Sequence, residues 1–81
     1  MRADKFLKNS RLIKRRTVAK EACEHERIYI NDKQAKPGSD VKPGDVLRVC
    51  FGNGEIKVRV LETPDHVSKE NAQNMYEVLT E

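Results

Sequence analysis

The sequence predicts a single α+β domain: two N-terminal helices packed on a small, mainly antiparallel sheet, followed by a C-terminal helix. Three observations predict it. The apolar period changes from helical to strand-like at Arg27, residues 46–61 alternate as a hairpin around Gly52-Asn53-Gly54, and residues 68–79 return to helical spacing. A chain of 81 residues holds one such domain with one thin core. The expected organisation is therefore one unit over 1–81, with the hairpin and final helix filling 46–81.

The elements follow in order. Ala3 to Asn9 carries the apolar pair Phe6 and Leu7 among helix-compatible residues, with Asp4 near the positive end of the helix dipole. Asn9-Ser10 breaks that helix, and Leu12-Ile13 forms a second apolar pair. A longer helix is predicted over Lys14 to His25, where Val18, Ala19, Ala22 and Cys23 fall on one stripe. Arg16 and Lys20 share the flank of that stripe, while Ser10 and Thr17 are both poorly placed as its N-cap. Ile28-Tyr29-Ile30 is a short strand, and Asn31-Asp32-Lys33 a tight turn into Gln34-Ala35-Lys36. Pro37-Gly38-Ser39 and Lys42-Pro43-Gly44-Asp45 have turn chemistry. Val46 to Phe51 and Glu55 to Leu61 form the hairpin, with Ile56, Val58 and Val60 on one face. In the final segment, Ser68 to Leu79, the residues Ala72, Met75, Tyr76 and Leu79 line up at helical spacing.

Charge is divided unevenly along this scaffold. Residues 1–20 hold eight Lys or Arg and one acid, a net of +7, whereas residues 21–81 hold eight basic and twelve acidic residues, a net of −4. Such a split suits one surface built for a polyanion on a body that repels indiscriminate binding. Arg11, Lys14, Arg15 and Arg16 crowd together, with Lys20 a turn further on. Like charges at i,i+4 spacing cost a few tenths of a kcal/mol per pair, a cost that a bound phosphate backbone offsets. Arginine forks match phosphate oxygens and stack on exposed bases. Aromatic residues are few (Phe6, Tyr29, Phe51 and Tyr76), so a base-stacking sheet is not the expected mode of recognition. Duplex DNA stays open as a partner on charge alone, because phosphate contacts carry no sequence information.

Nothing in the sequence resembles catalytic machinery. There is no phosphate-binding loop and no dinucleotide glycine pattern, and His25 and His66 lie in unrelated contexts, so the chain is expected not to be an enzyme. Cys23 and Cys50 sit among apolar neighbours and read as buried thiols, neither a disulfide nor, with His25 and His66, a zinc site. No cofactor and no metal are expected. The charged N-terminal stretch and the lack of a long apolar run point to a cytoplasmic protein without a membrane span.

Taken together, Arg2-Ala3-Asp4-Lys5-Phe6-Leu7, Arg16-Thr17-Val18-Ala19-Lys20-Glu21-Ala22, Arg27-Ile28-Tyr29-Ile30-Asn31 and Lys42-Pro43-Gly44-Asp45 resemble the S-four RNA-binding domain, or alpha-L motif. That domain is shared by small-subunit ribosomal protein four, tyrosyl-tRNA synthetases and pseudouridine synthases, and the resemblance spans residues 1–51. It implies RNA contacts at Arg2 and Arg16 with Asp4 beside them; Lys5, Arg11, Lys14, Arg15 and Lys20 are added from charge and position. Through Ser10 to Arg16 and Asn74-Met75-Tyr76 the whole chain is similar to a stand-alone bacterial branch of the family acting in ribosome-associated quality control. The resemblance then implies large-subunit rRNA and peptidyl-tRNA as partners, together with RqcH of the NEMF family, during alanine tailing of stalled chains. It implies no membrane or small-molecule partner, and a monomer off the ribosome. The alternative is the heat-shock-type branch, which acts in large-subunit recycling or assembly. Two residues depart from the family pattern. Glu26 stands where a glycine usually ends the second helix, and Asn31-Asp32 replaces Asn-Gly. A left-handed glutamate costs about 1 kcal/mol, so a slightly altered turn is expected at Glu26.

Overall fold

Two short helices lie across one face of a five-stranded antiparallel sheet in the computed structural model, which describes residues 1–79. The elements are α1 (Ala3–Asn9), α2 (Arg16–Glu24), β1 (Ile28–Ile30), β2 (Lys33–Gln34), β3 (Val46–Phe51), β4 (Gly54–Val60), a 3-10 turn (Ala72–Met75) and β5 (Tyr76–Val78). The strands run in the order β2-β1-β3-β4-β5. The predicted hairpin is β3–β4, in register from Val46↔Arg59 to Phe51↔Gly54. Its inward residues Leu47, Val49, Val58 and Val60, with Ile28 of β1, are buried against Ala3, Phe6 and Leu7 of α1 and Ala19 and Cys23 of α2. Burial of this apolar surface, at about 25 cal/mol per Å², is the main force holding helices to sheet.

Helix α2 is shorter than its sequence suggests. It begins at Arg16, because Arg15 is extended (φ −122°, ψ 136°) and Arg11 is left-handed (φ 63°), so Lys14 and Arg15 belong to a connection. No capping side chain sits in the connection to start the helix earlier, and the Ile13 N–H is instead held by the Leu7 carbonyl at 3.1 Å. The apolar stripe is also narrower than predicted: Ala19 and Cys23 are buried and Ala22 half-buried, but Val18 is 47% exposed.

Glu26 occupies the left-handed position outright, at φ 61°, so the altered turn expected there does not occur. The Arg27 N–H bonds the Ala22 carbonyl at 3.0 Å and the Glu26 N–H bonds that of Cys23 at 3.2 Å, which is the bonding of a Schellman C-cap. Two satisfied carbonyls and the burial of the adjoining Ile28 hold the turn against the strain of the side chain. Asn31 and Asp32 are likewise both left-handed (φ 51° and 68°), as a two-residue type I′ hairpin between β1 and β2 requires.

The Asn31 side chain locks that hairpin to the next turn. Its Nδ2 donates to Asp45 Oδ1 at 3.1 Å and its Oδ1 accepts the Val46 N–H at 3.0 Å, while Asp45 Oδ2 accepts the Lys42 N–H at 2.9 Å. Gly44, at φ +96°, supplies the bend that brings Asp45 round.

The C-terminal helix is not formed. Ala72 and Met75 are buried as their spacing suggested, but one 3-10 turn satisfies them, and Tyr76–Val78 pairs with β4 from Val60↔Tyr76 to Val58↔Val78. A segment of about 12 residues is marginal as an isolated helix. Here the unpaired edge of β4 offers ladder hydrogen bonds along an apolar pair of strands, and the strand wins. The N-terminus is tied down by pairing as well: Ala3 N–H bonds the Ser39 carbonyl at 2.8 Å and Val41 N–H that of Met1 at 2.7 Å. Among the described residues no helix is long and apolar enough to cross a membrane.

Candidate RNA-binding surface

Packing of α1 on α2 brings the starts of both helices together around one buried acid. Asp4, in the first turn of α1, is almost completely buried. Its Oδ1 accepts the Lys5 N–H at 2.7 Å and Arg2 Nε at 3.2 Å, and its Oδ2 accepts Arg2 Nη2 at 3.3 Å. Arg16, at the first position of α2, brings Nη2 to 3.6 Å from Asp4 Oδ1. A carboxylate is costly to bury unless paired, and here two guanidinium groups and a backbone donor compensate it. The cations themselves remain half exposed, with the Arg2 side chain at 55% and that of Arg16 at 50%. One acid thus fixes two arginines side by side and leaves an outward charge of about +1 at that point.

The uncapped start of α2 adds to the same patch. Arg15 at the N-cap offers no side-chain acceptor, so the first N–H donors and the positive helix end lie in the same neighbourhood as Arg16. Lys20, one turn along α2, is exposed, as are Arg11, Lys14 and Arg15 on the connection. Among the described residues none of these four makes an ion pair. Lys5 is different: it reaches Asp65 at 3.4 Å, and Asn9 Nδ2 donates to the Asp65 carbonyl at 3.2 Å, so this lysine is partly spent holding the loop around residue 65. Of the eight residues read from the sequence, Arg2, Asp4 and Arg16 meet in one cluster, Lys20 extends it, Arg11, Lys14 and Arg15 flank it, and Lys5 is drawn aside. The family resemblance implies Asp4 beside the arginines, but its part as their shared anchor is visible only once α1 packs on α2.

The thiols have no part in this surface. Both are free; Cys23 lies in the core, where burial, and then the charges of Asp4 and Glu24, push its pKa up to about 11. Asp40, exposed, is held below the usual carboxylate range by a hydrogen bond from the N-terminal ammonium at 2.9 Å. The described residues contain no group of three or more His, Cys, Asp or Glu placed to hold a metal ion.

Helices that display cations at one end of a small sheet are the arrangement of an RNA-binding S4 domain. The S4 domain model matches residues 1–47, and the chain belongs to the S4 domain family. Along its whole length it is similar to the RQC P-site tRNA stabilizing factor of Bacillus subtilis (strain 168), at 59% identity over 81 residues, covering 100% of this chain and 94% of the relative. A protein of the same name from Streptococcus pneumoniae is 49% identical over 81 residues, covering 100% and 92%. Among solved structures, the trimeric Heat Shock Protein 15 of Vibrio cholerae superposes with a TM-score of 0.89 at 26% identity, covering 98% of this chain and 81% of that one.

Proposed function

We propose that this protein is a binding factor of ribosome-associated quality control, which grips rRNA and peptidyl-tRNA on stalled large ribosomal subunits and acts with RqcH while alanine tails are added. The observation that carries the reading is the pair Arg2 and Arg16, fixed on buried Asp4 beside the uncapped start of α2. Guanidinium groups held in place lose little freedom when they meet a phosphate, so the patch is prepared for a polyanion before one arrives. The confinement of net positive charge to residues 1–20 supports the same surface, and whole-length likeness to P-site tRNA stabilizing factors supplies the setting. The protein works by binding, with no bond made or broken.

Co-sedimentation with large subunits carrying peptidyl-tRNA tests this. Association is expected for the wild type and a large loss for Arg16→Ala; unchanged sedimentation of the variant removes the cluster from the site. The likeness in fold to Heat Shock Protein 15 favours a second reading, a subunit recycling or assembly factor. Pull-downs separate the two: RqcH and tRNA are retrieved under the first, and only empty subunits or assembly intermediates under the second. Competition at fixed salt between structured RNA and duplex DNA checks the choice of nucleic acid.

A further inference from the structure

The helices cover one face of the sheet and leave the other open. Strand register sets a row of side chains straight across that open face: Gln34 of β2, Tyr29 of β1, Arg48 of β3 and Lys57 of β4. Arg48 and Lys57 are direct cross-strand partners, and like charges so placed, with Cα atoms about 5 Å apart, destabilise a sheet. Among the described residues no acid stands in the row. Glu55 and Glu77 lie in the rows on either side, opposite Cys50 and Arg59. Among the described residues Lys57 makes no ion pair.

Arg48 is also held in an unusual way. Its guanidinium carbon lies over the Tyr29 ring, 4.3 Å from the centroid, a cation–π contact. Its Nε is buried and forms an ion pair with Glu55 Oε2 at 3.6 Å, the same separation as Arg16 to Asp4, but makes no hydrogen bond among the described residues. The Glu55 carboxylate and the Tyr29 ring hold the guanidinium in place, and its side chain stays about one-third exposed. Beside it, Arg48, Glu55, Lys57 and Leu79 line an open concavity of about 340 Å³.

We propose that this open face is a second RNA-binding surface, with Lys57 and Arg48 on phosphate and the Arg48–Tyr29 stack presented to an unpaired base. One molecule then holds two RNA segments on opposite sides of a body whose thinnest dimension is 22 Å. The inference rests on the RNA-binding reading above and deepens it: a factor that steadies one RNA against another needs two grips, and the helix patch is only one. Two features favour RNA over an acidic protein segment. A guanidinium plane backed by an aromatic ring is a stacking platform for a base, and the paired cations match the closely spaced charges of a nucleic-acid backbone.

The test is a titration with a short RNA stem-loop carrying an unpaired loop, followed by native mass spectrometry and fluorescence anisotropy. The wild type is expected to take up two stem-loops. Arg48→Gln with Lys57→Gln is expected to weaken the second binding step roughly tenfold and to flatten its dependence of log affinity on log salt by about 2. Glu55→Gln, which removes the acid from the concavity, is expected to strengthen that step, a gain that a merely structural role for these residues does not produce. Arg2→Ala with Arg16→Ala abolishes the other step and leaves this one. A wild-type plateau at one stem-loop overturns the second surface while leaving the first, and so does a second step unmoved by the Arg48 and Lys57 changes. Displacement of the second stem-loop by polyglutamate as readily as by RNA also overturns it and assigns the face to an acidic protein. Absence of any RNA binding overturns both readings together. Thermal melts of each variant show that the fold is kept.

Discussion

The cations of the N-terminal region fall into two groups that the chain treats differently. Arg2 and Arg16 converge on the buried carboxylate of Asp4, whereas Arg11, Lys14, Arg15 and Lys20 are exposed and make no ion pair among the described residues. Both groups contribute to the same positive field, but only the first has its geometry set before a partner arrives. A field steers and attracts a polyanion whatever the orientation of the side chains. A fixed pair of guanidinium groups can also select the spacing of two phosphates. The first group should therefore decide how RNA sits, and the second how strongly it is drawn in.

Asp4→Asn breaks this comparison most severely. If charge alone governs binding, removing an acid from the patch strengthens it. If anchoring governs, the variant binds structured RNA roughly tenfold more weakly although its net charge rises. We expect the weaker binding, measured by anisotropy at fixed salt, with stability lower by about 1.5–3 kcal/mol in urea titration because the charged hydrogen bonds are lost. The Cys23 thiol offers an independent readout of the same acid. Its pKa of about 11 stands above the ordinary 9.0, so the stabilisation from keeping it neutral is complete below pH 9 and is lost as pH rises through about 11. With Asp4 neutralised one of the charges raising it disappears, and alkylation of Cys23 is expected to begin at lower pH than in the wild type.

A pair of single substitutions sharpens the contrast at constant charge. Arg16→Ala and Arg15→Ala remove one positive charge each from neighbouring positions, one anchored and one not. The expected losses of RNA affinity are about tenfold or more for Arg16 and roughly twofold to threefold for Arg15. Equal losses for the two would mean that anchoring confers nothing and that the patch acts only through its field.

Much of this was legible in the sequence, and the parts that were not share a cause. The β3–β4 hairpin was readable because its alternation and its turn are local signals, and each supports the other. Of the eight candidate residues, Lys5, Arg11, Lys14, Arg15 and Lys20 could be proposed because charge density needs no geometry, while Arg2, Arg16 and Asp4 came from the family resemblance. The start of α2 was misplaced because Lys14 and Arg15 are good helix formers, while the left-handed turn at Arg11 that excludes them depends on the docking of Leu7 and Ile13. The final segment reads as a helix because Ala72 and Met75 have helical spacing, while the free edge of β4 that captures Tyr76–Val78 lies across an intervening loop and leaves no mark on the local pattern. The anchoring by Asp4 was hidden for the same reason, since Arg16 meets it only through packing of two helices. Local patterns reveal elements and composition, and contacts between distant segments must be seen.

The smallest effects come from backbone strain, and they test the unanchored group on its own terms. Arg11 and Glu26 are both left-handed, at φ 63° and φ 61°, and each closes the end of a helix. Glycine relieves that strain, so Arg11→Gly and Glu26→Gly are each expected to stabilise the fold by up to about 1 kcal/mol, offset in part by the freedom glycine adds to the unfolded chain. Their effects on RNA should diverge. Glu26→Gly removes an acid from the far end of α2 and leaves affinity within roughly twofold, while Arg11→Gly weakens it modestly and flattens the salt dependence by about 1. A stabilised Arg11→Gly protein with reduced affinity would show that this arginine is kept at a strained position for the RNA it attracts. Unchanged affinity would confine recognition to Arg2, Arg16 and their immediate neighbours, and would leave the left-handed arginine without a role in binding.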